Sequence, residues 1–385
     1  MKRYLDNHIK SALTEKIVLL TGARQCGKTT LAKQLYKDFD YFNYDAVEDR
    51  ILLRKKIWDR NKPLVIFDEL HKMKEWKRWI KGVYDKEGIH PELLVTGSAK
   101  LDTYKKVGDS LAGRYFQYRL YPLDLKEVAH YDAHIDSTDA FNRLWHCSGF
   151  PEPFLKGTEE YYKRWRRGHL DIILRQDLVD IHTVRDIQSV ETLVQLLKTR
   201  VGAGVSYANL ARDLERDIHT IKRWLQLLEN MYVIFRVTPY HKNIARSLLK
   251  EPKYYFFDIA QVEGDEGARL ENLVALSLLK ELHFIEDTTG ASVNLQYLRT
   301  KEGKEIDFII CQDSTPTHLI EVKTSNNDPA PTFQHFMPLF QTHAIQAIQL
   351  VKNCHREKTF ENGLKICALI PWLTTLNLLP RKNHE

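Results

Sequence analysis

Residues 17–30 read IVLLTGARQCGKTT, an apolar run that passes without a break into a loop framed by glycines and closed by Lys-Thr. The run has the length and composition of a buried strand, and LAKQLYKDF behind the loop has those of a helix, so the chain must turn sharply from strand to helix here. Glycines at 22 and 27 let the loop's N–H groups turn inward around phosphate oxygens, and the helix N-terminus adds its positive dipole end. The expected nucleotide contacts are Gly22, Gly27, Lys28, Thr29 and Thr30, with Lys28 on the β and γ phosphates of ATP and the Thr29 hydroxyl on Mg²⁺.

Two further apolar runs end in polar groups. LVIFDEL closes on Asp68 and Glu69, and an acid at the end of a buried strand is costly unless something offsets its charge. A Mg²⁺ beside the nucleotide would do so, which makes Asp68 the expected metal-side carboxylate. Glu69 is either the general base that polarises the attacking water or a strand-end surface acid. In LLVTGS, Thr96 and Ser98 stand where the strand ends, either beside the γ-phosphate or in an ordinary turn.

With 385 residues the chain is long enough for two or three domains. From residue 16 to about 125 the short apolar runs alternate with helical stretches, the signature of a parallel α/β sheet. Residues 126–186 turn helical, residues 187–248 read helix, turn, helix, turn, helix, strand, and residues 249–385 mix strands with the helix ARLENLVALSLLKEL. The expected fold is therefore an α/β sheet with a helical lid, a small helical module, and an α+β domain. Five scattered cysteines include no CxxC pair, so they indicate neither a disulfide framework nor a zinc site. The apolar run near the N-terminus is too short to span a bilayer, which leads to the expectation of a soluble, cytoplasmic protein without membrane contact. A net charge of +6 permits nucleic-acid binding without demanding it.

The series TGARQCGKTTL, IFDELHK, LLVTGSAKL and SLAGRYFQYRLYPLDLKEV, followed by SGFPEPFLKG, resembles the AAA-superclass P-loop ATPases of bacteria and archaea that carry a C-terminal domain of long-unassigned function. The resemblance covers essentially the whole chain. It implies an ATP hydrolase that forms a homo-oligomer with sites completed between subunits, and it makes Arg114 of the LAGR motif a candidate arginine finger. The alternative for Arg114 is a salt-bridging surface arginine. Cys26 replaces the small apolar or valine residue that other members carry before the second loop glycine, a change that leaves phosphate binding intact and adds a site for oxidants.

In VSYANLARDLERDIHTIKRWLQLLENMYVIFRV, Leu210, Leu214, Ile218, Ile221, Leu225 and Leu228 recur at spacings that bury one face of two short helices. The stretch resembles a winged helix-turn-helix with residues 217–230 as its second helix and YVIFRV as the wing. His219, Thr220, Lys222 and Arg223 would then face DNA phosphates or base edges; the same architecture also serves as a protein-binding module. The run YYKRWRRGH at 161–169 reads either as basic residues interleaved with stacking aromatics or as a helix with an aromatic core face and a solvated basic face.

EIDFII and HLIEVK place Asp307 on one strand and Glu321 and Lys323 on the next, the latter two on one face by period-2 alternation. Two carboxylates and an ammonium on one side of a sheet suit a divalent metal and an activated water. The pattern resembles the PD-(D/E)xK nuclease core. That resemblance implies Mg²⁺ held by Asp307, Glu321 and Glu271 of the helix RLENLV, with Lys323 orienting the hydrolytic water, or a nuclease-like fold that binds without cutting.

The functional expectation is a DNA-associated ATPase, a motor or switch in repair, recombination or defence, with Mg²⁺-dependent cleavage left open. The alternative is a nucleotide-switched signalling or scaffold ATPase whose later domains bind proteins.

Overall fold

The fold is given by a computed structural model that describes residues 2–98, 111–132, 134–177, 186–240, 251–325, 328–340 and 345–378. Five parallel strands, β1 (Ile17–Gly22), β2 (Asp40–Asn43), β3 (Leu64–Asp68), β4 (Glu92–Gly97) and β5 (Tyr115–Leu120), form the first sheet in the order β2-β3-β4-β1-β5. Every residue of β1, β3 and β4 is buried because helices cover both faces. Alternate residues accordingly feed two cores, with Val18, Leu20, Ile66 and Leu94 on one face and Ile17, Leu19, Val65, Phe67, Leu93 and Val95 on the other. The chain leaves β1 for the far edge of the sheet and returns through β3 and β4 to β1's side, with β5 added on its other flank. The carboxyl ends beside such a reversal are where an open α/β sheet leaves a crevice for a ligand.

Helices Leu125–Tyr131, Ser137–Cys147, Pro151–Lys156 and Glu159–Asp171 follow β5, then helices Ile187–Lys198, Tyr207–Asp213 and Ile218–Asn230. Asp124, Asp136, Ser206 and Asp217 cap four of these, each accepting from an N–H of the first turn.

The second sheet has eight strands: β6 (Ile234–Pro239), β7 (Lys253–Phe256), β8 (Val293–Arg299), β9 (Glu305–Gln312), β10 (Thr315–Lys323), β11 (Gln346–Val351), β12 (Lys358–Thr359) and β13 (Lys365–Ala368), in the order β12-β13-β11-β10-β9-β8-β6-β7. The sheet therefore runs through the residues on either side of position 248, where the sequence suggested a domain boundary. β6, expected as a wing, pairs with both β7 and β8. Asp313 and Ser314 adopt left-handed conformations between β9 and β10, giving the tight hairpin that sets Asp307 and Glu321 on neighbouring strands.

The 24-residue helix Glu266–Thr289 joins the two sheets. Its Lys280 lies among Asp124 and Glu127, at 3.0 and 2.6 Å, and its Asp287 receives the Arg119 backbone N–H at 2.9 Å. One apolar core spans Leu5 to Leu378 across this junction. Among the described residues no helix is long and apolar enough to cross a membrane.

Candidate functional site

The first site lies at the carboxyl ends of β1, β3 and β4. Gly22 has φ +154°, and a Cβ there would stand 2.1 Å from the Leu120 carbonyl oxygen, so only glycine lets the loop start against β5. Gly27, at φ +97°, turns the chain into helix Lys28–Gln34. Lys28 is only 6% exposed, and its ammonium donates to the carbonyls of Gly22 and Ala23 at 3.0 and 2.8 Å. It is thus held over the inner rim of the loop that should receive phosphate.

Strand register builds the acidic wall. Asp68 stands opposite Thr96 on β4 and Asn43 on β2. Its carboxylate accepts from the hydroxyls of Thr29 at 2.8 Å, Tyr41 at 2.7 Å and Thr96. Three hydroxyls thus converge on a largely buried acid. Glu69 is a non-glycine residue at φ +54°, an uncommon conformation that turns its side chain to Ser98 Oγ at 3.1 Å and His71 Nδ1 at 3.6 Å. Burial pushes the Glu69 carboxyl above its usual range, against the pull of Lys28 and Lys72. Thr30 lies in the same helix as Lys28 and Thr29.

This donor set fits a Mg²⁺ nucleotide. Lys28 and the loop N–H groups would hold phosphate, while Thr29 and Asp68 would hold the metal, which supplies charge neutralisation on the transferring phosphoryl group. Arg114 lies away from this wall, with Nε donating to Asp85 Oδ1 at 2.7 Å on the surface.

Residues 14–129 match the family profile of an AAA domain. The N-terminal unit is an AAA-type ATPase. Behind the AAA unit, residues 138–262 and 266–372 match two domains of unknown function, DUF8612 and DUF4143. An uncharacterized protein of Haemophilus influenzae is 24% identical over 409 residues, spanning 97% of this chain and 98% of its own. Uncharacterized proteins of Mycobacterium tuberculosis and Methanocaldococcus jannaschii are 27% and 25% identical over 76% and 77% of this chain, and over 67% and 73% of theirs. Among solved structures, a Walker-type ATPase of Pyrococcus abyssi aligns over 67% of this chain and 93% of its own, with 13% identity and a TM-score of 0.41.

The AAA unit touches the rest of the chain through its phosphate loop. Arg3 donates to the Cys26 carbonyl at 2.7 Å and is ion-paired to Glu127, which also binds Lys280 of the long helix. His169 Nε2 lies 3.2 Å from the Arg24 carbonyl, and the Tyr232 hydroxyl donates to Thr21 Oγ1 at 3.1 Å. None of Arg3, Tyr41, His169 or Tyr232 was singled out from the sequence, since each acts through a partner remote in the chain.

His219, Lys222 and Arg223 are exposed and Thr220 is half-buried, all on helix Ile218–Asn230, which follows the turn at Glu215–Asp217. In helix Glu159–Asp171, Tyr162 and Trp165 turn inward, Tyr162 bonding Asp258 at 2.9 Å and Trp165 stacking on His169, while Lys163, Arg164 and Arg167 remain exposed. This is the arrangement with an aromatic core face and a solvated basic face.

The second site is on the eight-stranded sheet. Lys323 Nζ donates to Glu321 Oε1 at 2.6 Å, so the two share a face. Asp307 Oδ2 accepts from the Val322 N–H at 2.8 Å, and the Asp307 N–H reaches Glu321 Oε2 at 3.4 Å. Glu271 is close enough for the Asp307 charge to add to the effect of burial, and both acids are held above the usual carboxylate range. Glu271 Oε1 already accepts from Lys253 at 2.9 Å and from the Tyr255 hydroxyl at 2.6 Å. Lys253 is also ion-paired to Glu305. As folded, these carboxylates do not fit a divalent ion. Glu271 Oε1, Asp307 Oδ2 and both Glu321 oxygens face ammonium, hydroxyl or N–H donors, and among the described residues no group of three or more His, Cys, Asp or Glu is set to hold a metal.

Proposed function

We propose that this ATPase is a nucleotide-driven switch acting on DNA, in which the phosphate loop drives the helical module and the second sheet. The observation that carries the reading is the contact between Tyr232 and Thr21, which ties the residue entering β6 to the strand leading into the loop. A loop that closes on phosphate alters the position of β1's end, and a rigid neighbour bonded there must respond.

In this reading Glu69 is the general base, its burial making it a stronger base than an exposed glutamate, and Thr96 and Ser98 fix the two acids. Arg114 acts on the site of a neighbouring subunit, which its surface position beside Asp85 allows. Residues 205–237 act as a winged helix-turn-helix, with His219, Lys222 and Arg223 presented to the DNA backbone. The second sheet is read as a PD-(D/E)xK-like module, with Glu271, Asp307, Glu321 and Lys323 facing the nucleic acid.

DNA binding by fluorescence anisotropy tests the partner. Lys222→Ala with Arg223→Ala should weaken binding across sequences and flatten the logarithmic salt dependence by about 2, one unit per lost phosphate contact. An unchanged salt slope would remove this helix from the interface.

One observation favours a protein partner instead. Ile218 is exposed beside His219, and the nearby Arg200 and Arg216 are ion-paired to Asp213 and Asp186, both at 2.7 Å. That reading predicts nucleotide-dependent assembly in light scattering with no DNA affinity.

A further inference from the structure

Two lysines stand inside the acid cluster of the second sheet, and only Lys323 belongs to the motif that drew attention to it. The other, Lys253, opens β7, and its side chain is 1% exposed. Its ammonium lies between Glu271 and Glu305, and the Asp307 charge also acts on it. An ammonium donates in three directions and a buried one is retained only where acceptors surround it. The acceptors here are carboxylates that a divalent cation would need.

Glu271 Oε1 holds Lys253 and Tyr255, and its Oε2 faces Gly202, where even a Cβ would come within 2.7 Å. Glu321 Oε1 holds Lys323, and Glu305 Oε2 lies 3.6 Å from Arg299 Nε. Four carboxylates thus meet three basic side chains drawn from β7, β8 and β10.

We infer that Lys253 is the resident cation of this cluster and excludes divalent metal from it while β7 stays paired. The strand that carries Lys253 pairs with β6, Lys253 standing opposite Val237, and Lys253 also bridges Gly204 in antiparallel fashion. Withdrawal of the lysine therefore requires movement of β7 against both β6, the strand that follows Tyr232, and the Gly204 backbone. The inference concerns the second sheet alone and stands whether or not the chain acts on DNA.

Mn²⁺ binding to nucleotide-free full-length protein, followed by electron paramagnetic resonance of the free ion, tests it. Wild type and Asp307→Asn should bind Mn²⁺ alike, because the cluster takes none. Lys253→Gln keeps an amide donor for the carboxylates but removes the charge, and should gain a site at least tenfold tighter that adding Asp307→Asn abolishes. A wild-type site that Asp307→Asn removes and Lys253→Gln does not strengthen would overturn the inference, as would a folded Lys253→Gln protein with no new site. Circular dichroism checks folding. If Lys253→Gln does not fold, Lys253→Gln with Glu305→Gln removes one charge of each sign and is read in the same way.

Discussion

Tyr232 and Thr21 are 211 positions apart in the chain, and the tyrosine hydroxyl donates to the threonine Oγ1 at 3.1 Å. Tyr232 holds a left-handed backbone, φ +56°, and its ring packs against Tyr121 and Phe257 at 6.2 and 5.5 Å. Tyr232→Phe keeps the ring and removes the bond, at a cost of about 1 kcal/mol in urea unfolding. Basal ATP turnover should stay within about twofold, while any stimulation by DNA should fall. Equal stimulation in the variant would show that the coupling runs elsewhere.

Lys28→Ala removes the ammonium over the loop, and Asp68→Asn leaves an amide facing three hydroxyl donors. Each should lower ATP turnover at least about a hundredfold, as loss of a charge-stabilising group does. Circular dichroism should show a native fold in both. Persistent hydrolysis in Lys28→Ala would contradict the assignment of the loop.

Arg114 and Asp85 form an exposed pair, so Arg114→Ala should change stability by less than about 0.5 kcal/mol. If Arg114 completes a neighbour's site, turnover should fall about a thousandfold. Mixing Arg114→Ala with Lys28→Ala subunits should then recover activity that neither has alone, because an intact loop can meet an intact arginine. A mixture as inactive as its components would confine Arg114 to its own subunit.

His318 on β10 is buried, which pushes its imidazole down to about 4 from an ordinary 6.5. The unfolded chain takes up this proton below pH 6.5 while the folded chain refuses it until about 4, so stability is lost as pH falls through that window. The contribution is about 2 kcal/mol at pH 5, at 1.36 kcal/mol per pH unit over roughly 1.5 units. Urea unfolding of wild type and His318→Leu at pH 7.5 and 5 should differ by that amount in their pH dependence. Parallel curves would contradict it.

The parallel sheet was legible because its signals are local: LVIFD and ELLVTG are short apolar runs between helical stretches, and the β1 loop needs glycine at two fixed positions. Asp68 could be singled out as an acid ending a buried strand. Tyr41 could not, since it meets Asp68 only through the pairing of β2 with β3, which local pattern leaves open. Trp165 and His169 are one helical turn apart, a spacing that suits a stacked pair facing the core as readily as a nucleic-acid surface. Lys253 was hidden for a different reason. A lysine opening an aromatic strand reads as a solvated end residue, and only the joining of β6, β7 and β9 in one sheet surrounds it with acids.

ATP turnover measured at low salt with and without duplex, branched and single-stranded DNA tests the central claim most directly. The account predicts that at least one of these raises turnover in wild type, and that the rise is lost in Lys222→Ala with Arg223→Ala while basal turnover is kept. Turnover unaffected by every DNA, in a protein whose assembly still responds to nucleotide, would contradict it.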